Sequence, residues 1–504
     1  MTTLKARYSS LETGREPYLR RARAAAEHTL PMLIPQAGTS ASTNFKSQYQ
    51  SVGAHGVTNL SAKLLMALLP PGHPFFKLDI DKFTLQEIAQ GDEKARAEFD
   101  KAMSDVEQSI LSYIEASPLR TSTFETNKHL LVAGNVLVYK VPASPTGDVR
   151  VYDISKYVAK RDTAGNLLEC ILREAVSPTV LPPEVRAACD CADSESEKKD
   201  IELYTGIRRI DGKWQVTQEI NELAVPGASD TYPLDKCPWL VLRLQKIDGE
   251  DYGRGYVEEF LGDLISLEGL MKAIVKGSAA AAKVLFFVKP NSVTRASDCN
   301  KAASGDFVTG NADDITTLGL DKFADFRVAL ETIDRIEKRL GQAFMLSASA
   351  QRDAERVTAE EVRYVARELD DALGGIYSIL AQEFQLPLIK RIMVDMTSLG
   401  KLPELPEALI NPVIVTGMDA LGRTADLAKL DNLVKDIFAL SPELANQYVD
   451  ISNYIKRRGA YLRIDTDGLI NSQEKIDQAN QQAQMEQMMQ QAGPQMLQAA
   501  TQQQ

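Results

Sequence analysis

Two long helical patterns separated by a short β-like segment constrain the fold of this chain more than any other feature. The first spans Gly255 to Ala282 and the second spans Asp325 to Leu346, each with apolar residues at steps of three and four. Between them lie β-like pieces at Lys283–Val288, Gly305–Thr309 and Asp314–Leu318. The first helix would be about 42 Å long at the usual rise per residue. The pattern predicts a long helix leading outward, a small β-containing connection and a second long helix leading back.

A third long helix is predicted after a polar loop. Thr358 and Glu361 form a capping box, the arrangement in which two side chains bond each other's backbone N–H groups at a helix start. The apolar pattern continues past Gly374-Gly375 and Pro387 to Met396, which would be about 58 Å if the helix were straight. A glycine pair and an interior proline both bend helices, so we expect one long bent helix or two helices nearly in line.

The first 250 residues combine helical and strand patterns, which predicts an α+β body. The predicted helices are Pro17–Ala26, Val57–Leu69, Ala95–Ile114 and Thr123–Ala133. The predicted strands span residues 136–141, 149–153, 157–158, 167–172, 202–210, 213–220 and 239–244. Asp211-Gly212 separates two of these strands and is a strong two-residue hairpin signal. Pro17 fits the first turn of its helix, where a missing N–H is tolerated.

Beyond Gly400 the sequence predicts mostly helix with short breaks. A Pro-punctuated link at Lys401–Pro412 precedes predicted helices at Ala425–Phe438 and Pro442–Arg458. The end from Gln473 is rich in Gln, Ala and Met and carries little charge. Few of its residues could pack a core, so we expect it to be flexible or conditionally helical.

Charge and composition exclude several classes of function. The formal net charge is −12, which argues against a protein whose whole surface grips nucleic acid. An acidic surface could still let nucleic acid slide past, because negatively charged side chains repel the phosphates. The five cysteines are odd in number and irregularly spaced, which favours a reduced environment over a disulfide framework. No apolar run approaches ~18 residues and no signal peptide is recognisable, so we expect no membrane partner.

Catalytic and ligand-binding motifs are missing from the sequence. There is no Walker loop, no G-x-S-x-G and no H-E-x-x-H, and the four histidines are scattered. Cys189 and Cys191 lie in an acidic run without a nearby histidine, which favours a flexible loop over a metal site. Gly253-Arg254-Gly255 opens a helix but lacks the third glycine of a dinucleotide loop. We therefore predict no catalytic, cofactor or metal site.

Acidic pairs and one polar loop each leave two interpretations open. The acidic pairs are Glu258-Glu259, Glu360-Glu361 and Asp370-Asp371. Each pair falls in an amphipathic helix and forms either a solvated polar face or the acidic lining of a pore. The polar loop spans residues 347–356 and joins two long helices. It is either a surface loop with ordinary arginines or a loop projecting into a channel, with Arg352 or Arg356 meeting phosphates.

Ordered runs along the chain carry a resemblance to a known family. In the first half they are Tyr18–Ala22, His28–Pro31, Val52–Leu60 and Leu131–Leu137. In the second half they are Tyr252–Glu259, Ala343–Leu346, Glu355–Ala366 and Leu373–Ser378. On these runs the chain, from about residue 10 to 470, resembles the portal proteins, or head-to-tail connectors, of short-tailed double-stranded DNA phages. The acidic loop near Cys189 matches poorly, and the Gln-rich tail matches only in character.

The resemblance implies a mainly α, α+β portal fold assembled as a ring of about twelve copies. Its regions would be a wing (1–250), a descending stem helix (251–284), a clip (285–322), an ascending stem helix (323–346), a tunnel loop (347–357), a long bent wing helix (358–400), a crown (401–472) and a C-terminal tail (473–504). Apolar stripes would then pack stem helices within and between copies, and the ring would close by rotation.

The resemblance also implies a function and its partners. The ring would be a DNA conduit at one capsid vertex of the virion, assembled in the host cytoplasm, for genome packaging and ejection. The tunnel-loop residues expected to meet non-specifically bound double-stranded DNA are Gln351, Arg352, Asp353, Glu355 and Arg356. The expected clip-docking residues are Lys289, Asn291, Arg295, Lys301 and Asp306. They would bind the terminase large subunit and then a tail adaptor protein, while major capsid, scaffolding and internal core proteins would be further partners.

Two other classes of function remain open on the residues alone. One is a hydrolase with an uncommon active site in the α+β body, against which only the absence of motifs argues directly. The other is a monomeric scaffold that binds partners through its helices. The mass of the purified protein separates a ring from both.

Overall fold

The computed structural model describes most of the first 403 residues and part of the remainder. The described residues are 3–39, 42–71, 75–80, 93–188, 200–281, 285–318, 323–346, 375–403, 410–414 and 422–440, with 449, 451, 454, 455 and 458. The chain divides into two compact units, one made of residues 1–71 and 113–401 and the other of residues 72–112 and 402–504. Each unit contains both helices and strands, so the predicted α+β class is confirmed.

The helices and strands are numbered here in chain order. The helices are α1 (Leu4–Glu27), α2 (Val52–Leu68), α3 (Glu93–Ala116), α4 (Leu119–Ala133), α5 (Pro183–Ala188), α6 (Tyr256–Ala281), α7 (Ala296–Lys301), α8 (Phe323–Ala343), α9 (Ile376–Leu380), α10 (Leu386–Ser398) and α11 (Gly422–Leu440). The first ten strands are β1 (Phe76–Ile80), β2 (Asn135–Lys140), β3 (Val149–Tyr152), β4 (Tyr157–Arg161), β5 (Leu167–Val176), β6 (Ile201–Ile210), β7 (Lys213–Ile220), β8 (Leu223–Ala224), β9 (Asp230–Pro233) and β10 (Trp239–Arg243). The last three are β11 (Leu285–Val288), β12 (Ile315–Leu318) and β13 (Ile410–Ile414).

Antiparallel sheets form the body of the larger unit. One sheet has the order β4-β5-β6-β7-β8, with β9 also paired to β7, and a second has the order β10-β2-β3. The predicted hairpin at Asp211-Gly212 is confirmed, because β6 and β7 pair directly across it. Both turn residues have positive φ, +47° at Asp211 and +72° at Gly212. This is the backbone of a type I′ turn, which matches the twist of the flanking strands.

Helix α1 packs on the larger sheet and begins much earlier than the sequence predicts. Pro17 lies inside α1 and not in its first turn, so the predicted start was wrong. Leu4 and Tyr8 pack against Val158 and other buried side chains of the sheet. Burial of this apolar side stabilises the helix enough to tolerate the one hydrogen bond that a proline cannot donate.

Helices α6 and α8 are the two long amphipathic helices of the sequence pattern. The helix predicted from Gly255 to Ala282 is observed at Tyr256–Ala281, and the one predicted from Asp325 to Leu346 at Phe323–Ala343. Their apolar residues are buried in the halves near the body: Tyr256, Val257, Leu264 and Leu267 in α6, and Ile333, Ile336 and Leu340 in α8. Further out, a Cβ added at Gly277 would lie 2.7 Å from the Phe326 ring. The absence of a side chain there allows close approach of the two helices.

The segment between α6 and α8 contains one two-stranded sheet, in which β11 pairs antiparallel with β12. Two of the three predicted β pieces are confirmed, but Gly305–Thr309 forms no strand. Gly305 has a φ of +101°, and the N–H of Asp306 donates to the Ala303 carbonyl at 3.1 Å. These contacts make a turn where the sequence pattern predicted an extended strand.

The long helix predicted from Thr358 is described only from residue 375 onward, and its capping box lies outside the described residues. The described part is not one regular α-helix, since Gly375 has a φ of +85° and a π-helical segment follows α9. Helix α9 passes into a π-helical segment, Ala381–Gln385, and then into α10, whose first turn contains Pro387. A π-segment and an N-terminal proline are both recognised causes of a change in helix direction.

The smaller unit contains a strand pair that the sequence analysis missed. Strand β1 pairs antiparallel with β13, and Leu78 lies opposite Pro412. The N–H of Leu78 donates to the Glu107 carboxylate at 2.9 Å. Both members of a two-stranded pair are edge strands, where a proline is tolerated, so the link predicted at Lys401–Pro412 can end in a strand.

Candidate functional site

The five predicted docking residues all lie on the segment between β11 and β12. Their side chains are exposed: Lys289, Asn291, Arg295, Lys301 and Asp306. Arg295 and Lys301 flank and end the short helix α7, and Asn291 adopts a φ of +67°. All five therefore belong to one irregular and exposed stretch of the chain.

Thr294 makes hydrogen bonds across this irregular segment. Its hydroxyl accepts a hydrogen bond from the Asn311 N–H at 2.8 Å and donates to the Asp314 carboxylate at 3.2 Å. A Cβ added at Gly310 would lie 2.6 Å from the Thr294 hydroxyl oxygen, so a side chain there would disrupt this contact. Asp314 also lies 3.9 Å from the Lys289 ammonium. The exposed polar residues are thus carried by an internally bonded loop.

Exposed aromatic residues in strand β11 and in the segment that follows it were missed by the sequence analysis. Phe286 is 67% exposed, Phe287 is 52% exposed and Phe307 is fully exposed. Successive strand residues point to opposite faces, so Phe286 and Phe287 leave both faces of the β11–β12 sheet apolar. Exposed aromatic side chains are typical anchors of protein interfaces. The sequence signal that could have indicated them is the pair of adjacent phenylalanines, because two successive residues of a strand cannot both face one core.

The predicted tunnel-loop residues Gln351, Arg352, Asp353, Glu355 and Arg356 lie outside the described residues. The structure describes the chain up to Leu346, immediately before that loop. Helix α8 ends at Ala343, and Met345 then adopts a φ of +53°. The chain therefore turns sharply at the point where the predicted loop begins.

The acidic pair at the start of α6 is engaged in ion pairs and hydrogen bonds. Glu258 lies 2.9 Å from Arg254 and 3.2 Å from Arg21, and Glu259 accepts a hydrogen bond from Gln245. Hydrogen bonds to Glu250 and Glu258 raise the pKa of Arg254, and the bond from Arg254 lowers the pKa of Glu250. These contacts support the polar-face interpretation of the pair. Glu360-Glu361 and Asp370-Asp371 lie outside the described residues.

Cys170 and Cys237, the two cysteines in the described part of the body, are buried. Burial raises the pKa of the Cys170 thiol and raises that of Cys237 to about 11. A reactive cysteine requires a lowered pKa and access to substrate. Burial also lowers the pKa of His129 to about 4. No observation on these residues favours the hydrolase interpretation.

The described part of the chain contains neither a metal-holding cluster nor a bilayer-spanning helix. No group of three or more His, Cys, Asp or Glu side chains in the described ranges could hold a metal ion. None of the helices described combines the length and apolar character needed to cross a membrane.

Comparison with known proteins identifies the family. The portal protein of Escherichia phage T7 is 40% identical over 487 residues, covering 96% of this chain and 90% of that protein. The portal protein of Enterobacteria phage T3 is 40% identical over 475 residues, covering 94% and 88% respectively. A chain in the neck of an empty GTA particle aligns over 77% of this chain and 86% of its own length, with 10% identity and a TM-score of 0.38.

The family described as "Bacteriophage head to tail connecting protein" matches residues 1–470. This match and the two phage relatives confirm the resemblance predicted from the sequence runs. The chain belongs to the family of bacteriophage head-to-tail connecting proteins, which are structural components of the phage particle and not enzymes.

Proposed function

We propose that the chain assembles into a ring of about twelve copies around a DNA passage at one vertex of the capsid. The genome enters through the passage during packaging and leaves through it at ejection. Assembly takes place in the host cytoplasm, and the ring remains in the virion. The observation that carries this proposal is the family match over residues 1–470.

Exposed apolar residues on α6 and α8 support a ring. Ile265 and Val275 of α6 are 49% and 50% exposed, and Val328 and Leu330 of α8 are 66% and 50% exposed. Residues two apart on a helix point in different directions, so Val328 and Leu330 present apolar groups on two sides of α8. A ring built from heterologous contacts gives each copy one neighbour on each side. Neighbouring copies would cover both sides.

The predicted regions give each part a role in this ring. The wing comprises residues 1–250, the stem helices 251–284 and 323–346, the clip 285–322, the long bent wing helix 358–400, the crown 401–472 and the tail 473–504. Major capsid, scaffolding and internal core proteins contact the head side. The net charge of −12 suits a passage that DNA crosses without tight binding.

The clip is the proposed docking site for the terminase large subunit and then for a tail adaptor protein. Lys289, Arg295 and Lys301 supply exposed cations, and Asn291 and Asp306 supply exposed hydrogen-bonding groups. The exposed ring of Phe307 adds an apolar anchor beside them. A surface with exposed charges and an exposed aromatic ring can bind one partner and then another at the same place.

The tunnel loop, residues 347–357, is the proposed point of contact with passing DNA. Arg352 and Arg356 are the residues that would meet phosphates, and Gln351, Asp353 and Glu355 accompany them. Cations on a mostly acidic chain give local, non-specific and salt-dependent contact. Replacing Arg352 and Arg356 by Ala should leave rings intact and change DNA packaging or retention.

The mass of the purified full-length chain in solution tests the ring. A sharp species near twelve subunits, with a central hole in end-on images, is expected. A chain that stays monomeric at micromolar concentration contradicts the ring and supports a monomeric scaffold. Unchanged packaging and retention in the double arginine variant would refute the tunnel-loop role while leaving the ring unaffected.

A further inference from the structure

Two polar side chains of α2 hold the backbone at the end of α8. The Asn59 amide donates hydrogen bonds to the Phe344 and Met345 carbonyls at 3.0 and 2.8 Å. The Lys63 ammonium donates to the Met345 carbonyl at 3.1 Å. We call this group, with Gly56, the α2–α8 clamp: Gly56, Asn59, Lys63, Phe344 and Met345. The clamp residues of α2 are three and four positions apart, so they share one face of the helix.

The clamp depends on close contact between α2 and the Phe344 ring. A Cβ added at Gly56 would lie 2.5 Å from the Phe344 ring, so α2 approaches it more closely than any side chain would allow. Phe344 is fully buried and packs against the rings of Tyr256 and Phe260 of α6. Packing between α2 and α6 therefore fixes the end of α8 independently of the three hydrogen bonds from Asn59 and Lys63.

The backbone at this point takes a conformation that a methionine rarely adopts. Met345 has a φ of +53°, a left-handed conformation that costs roughly 1–2 kcal/mol for a residue with a side chain. The Leu346 N–H donates back to the Gly341 carbonyl at 2.7 Å, which closes the helix as a glycine cap normally does. Asn59 and Lys63 bind carbonyls that this turn leaves free. They offset the cost of the unfavourable backbone.

The charge of Lys63 suits its position. The last carbonyls of a helix carry partial negative charge, and a cation there is stabilising. Lys63 is only 4% exposed, so its contact with the Met345 carbonyl lies away from bulk solvent, where such interactions are stronger. A buried lysine is uncommon and requires partners such as this carbonyl.

We propose that Asn59 and Lys63 are positioning residues that fix the direction in which the chain leaves α8. They select the left-handed turn at Met345, and this turn sets where residues after Leu346 start. The inference rests on the proposed function in one respect, namely that the next segment, residues 347–357, contacts DNA. The clamp itself consists entirely of residues of α2 and the end of α8.

Limited trypsin digestion of the full-length chain tests the clamp without reference to DNA. The variant Asn59→Ala with Lys63→Met should raise cleavage after Arg352 and Arg356 by about tenfold relative to cleavage after Arg295 and Lys301, because protease access follows local opening. Asn59→Ala alone, which keeps the lysine contact, should give an intermediate ratio. Ser61→Ala is the matched control, since Ser61 is buried in the same helix and its hydroxyl has no hydrogen-bond partner among the described residues. An unchanged cleavage ratio in the double variant would overturn the proposal.

A DNA packaging assay then separates positioning from simple damage. If the clamp acts through the next segment, adding Asn59→Ala and Lys63→Met to the variant lacking Arg352 and Arg356 should lower packaging no further. A general structural defect would add to the loss, and this outcome refutes positioning. Should the double arginine variant package normally, the DNA role of the loop is wrong, and the trypsin ratio still decides whether the clamp holds the chain.

Discussion

The Lys140 ammonium lies 3.2 Å from the Asp395 carboxylate, and the two side chains are 2% and 1% exposed. Asp395 also accepts hydrogen bonds from Arg391 at 2.7 Å and from the Ala143 N–H at 3.1 Å. One carboxylate of α10 is therefore shared by two cations and a backbone donor near the end of β2. Burial lowers the pKa of Lys140, and the attraction of Asp395 opposes that shift.

Replacing Asp395 by Asn should destabilise the fold more than replacing Lys140 by Met. The first change leaves Lys140 and Arg391 as buried cations without their carboxylate, which costs about 3–5 kcal/mol in such cases. The second leaves Asp395 its bond from Arg391, so the loss should be smaller. Urea unfolding followed by circular dichroism measures both. The exposed pair Lys46–Glu27, at 3.3 Å, is the control, and its removal should cost less than about 1 kcal/mol. Equal losses for all variants would contradict this account.

Glu268 caps the entry to α2 from another helix. Its carboxylate, on α6, accepts hydrogen bonds from the N–H groups of Tyr49 and Gln50 at 2.8 and 3.1 Å, and the residue is 7% exposed. Glu268→Ala leaves two donors without this acceptor and should lower the free energy of unfolding by about 1–3 kcal/mol. Glu268→Gln keeps one acceptor oxygen and should lose less. The exposed Lys272→Ala, one turn away on α6, should change little. If Glu268→Ala left the free energy of chemical unfolding unchanged, the two hydrogen bonds to Glu268 would be dispensable.

The sequence predicted regular elements far better than it predicted these contacts. Helix α6 and strand β7 follow apolar periodicities of 3.6 and 2, which are local properties of the chain. Strand β13 was missed because its pairing with β1 joins residues more than 300 positions apart and its Pro412 disfavours a strand. Pro17 misplaced the start of α1 because packing on the sheet overrode local preference. The exposed rings of Phe286 and Phe287 followed from no periodicity, since apolar residues in a strand are ordinarily taken as core.

The imidazole of His129 should make stability depend on pH. Burial lowers the pKa of His129 from an ordinary 6.5 to about 4 in the folded chain. Between these values the unfolded chain binds a proton that the folded chain does not, so stability should fall as pH drops from about 6.5 to 4. The full effect would be about 3 kcal/mol. Urea midpoints at pH 7.5 and 5 measure it, and His129→Leu should show a smaller difference. An equal pH dependence in the two proteins would refute the assignment.

Serine at Val328 and Leu330 should weaken ring assembly without unfolding the single chain. Both residues are at least half exposed, so their loss removes little packing within one copy, and such surface changes are usually within about 0.5 kcal/mol. In a ring they would be covered by neighbours, and two polar groups would then be buried without partners. Native mass spectrometry of the variant should show fewer rings and more monomer. Ile336→Ala is the contrasting control, because Ile336 is 6% exposed and its truncation should destabilise each copy by about 2–5 kcal/mol. Intact rings in the serine variant would remove these residues from the interface.

Alanine at two helical glycines should have opposite effects on the isolated chain. In α2, a Cβ at Gly56 would meet the Phe344 ring at 2.5 Å, and the clash should cost about 1–3 kcal/mol. In α6, a Cβ at Gly262 would have nothing within 4 Å, so alanine should stabilise the helix by about 0.5–1 kcal/mol. Thermal unfolding of the two variants below the concentration of assembly measures the contrast. Stabilisation by Gly56→Ala would show that α2 and Phe344 are not in close contact. A Gly262→Ala variant that is more stable as a monomer but forms fewer rings would place this bare stretch of α6 against a neighbouring copy.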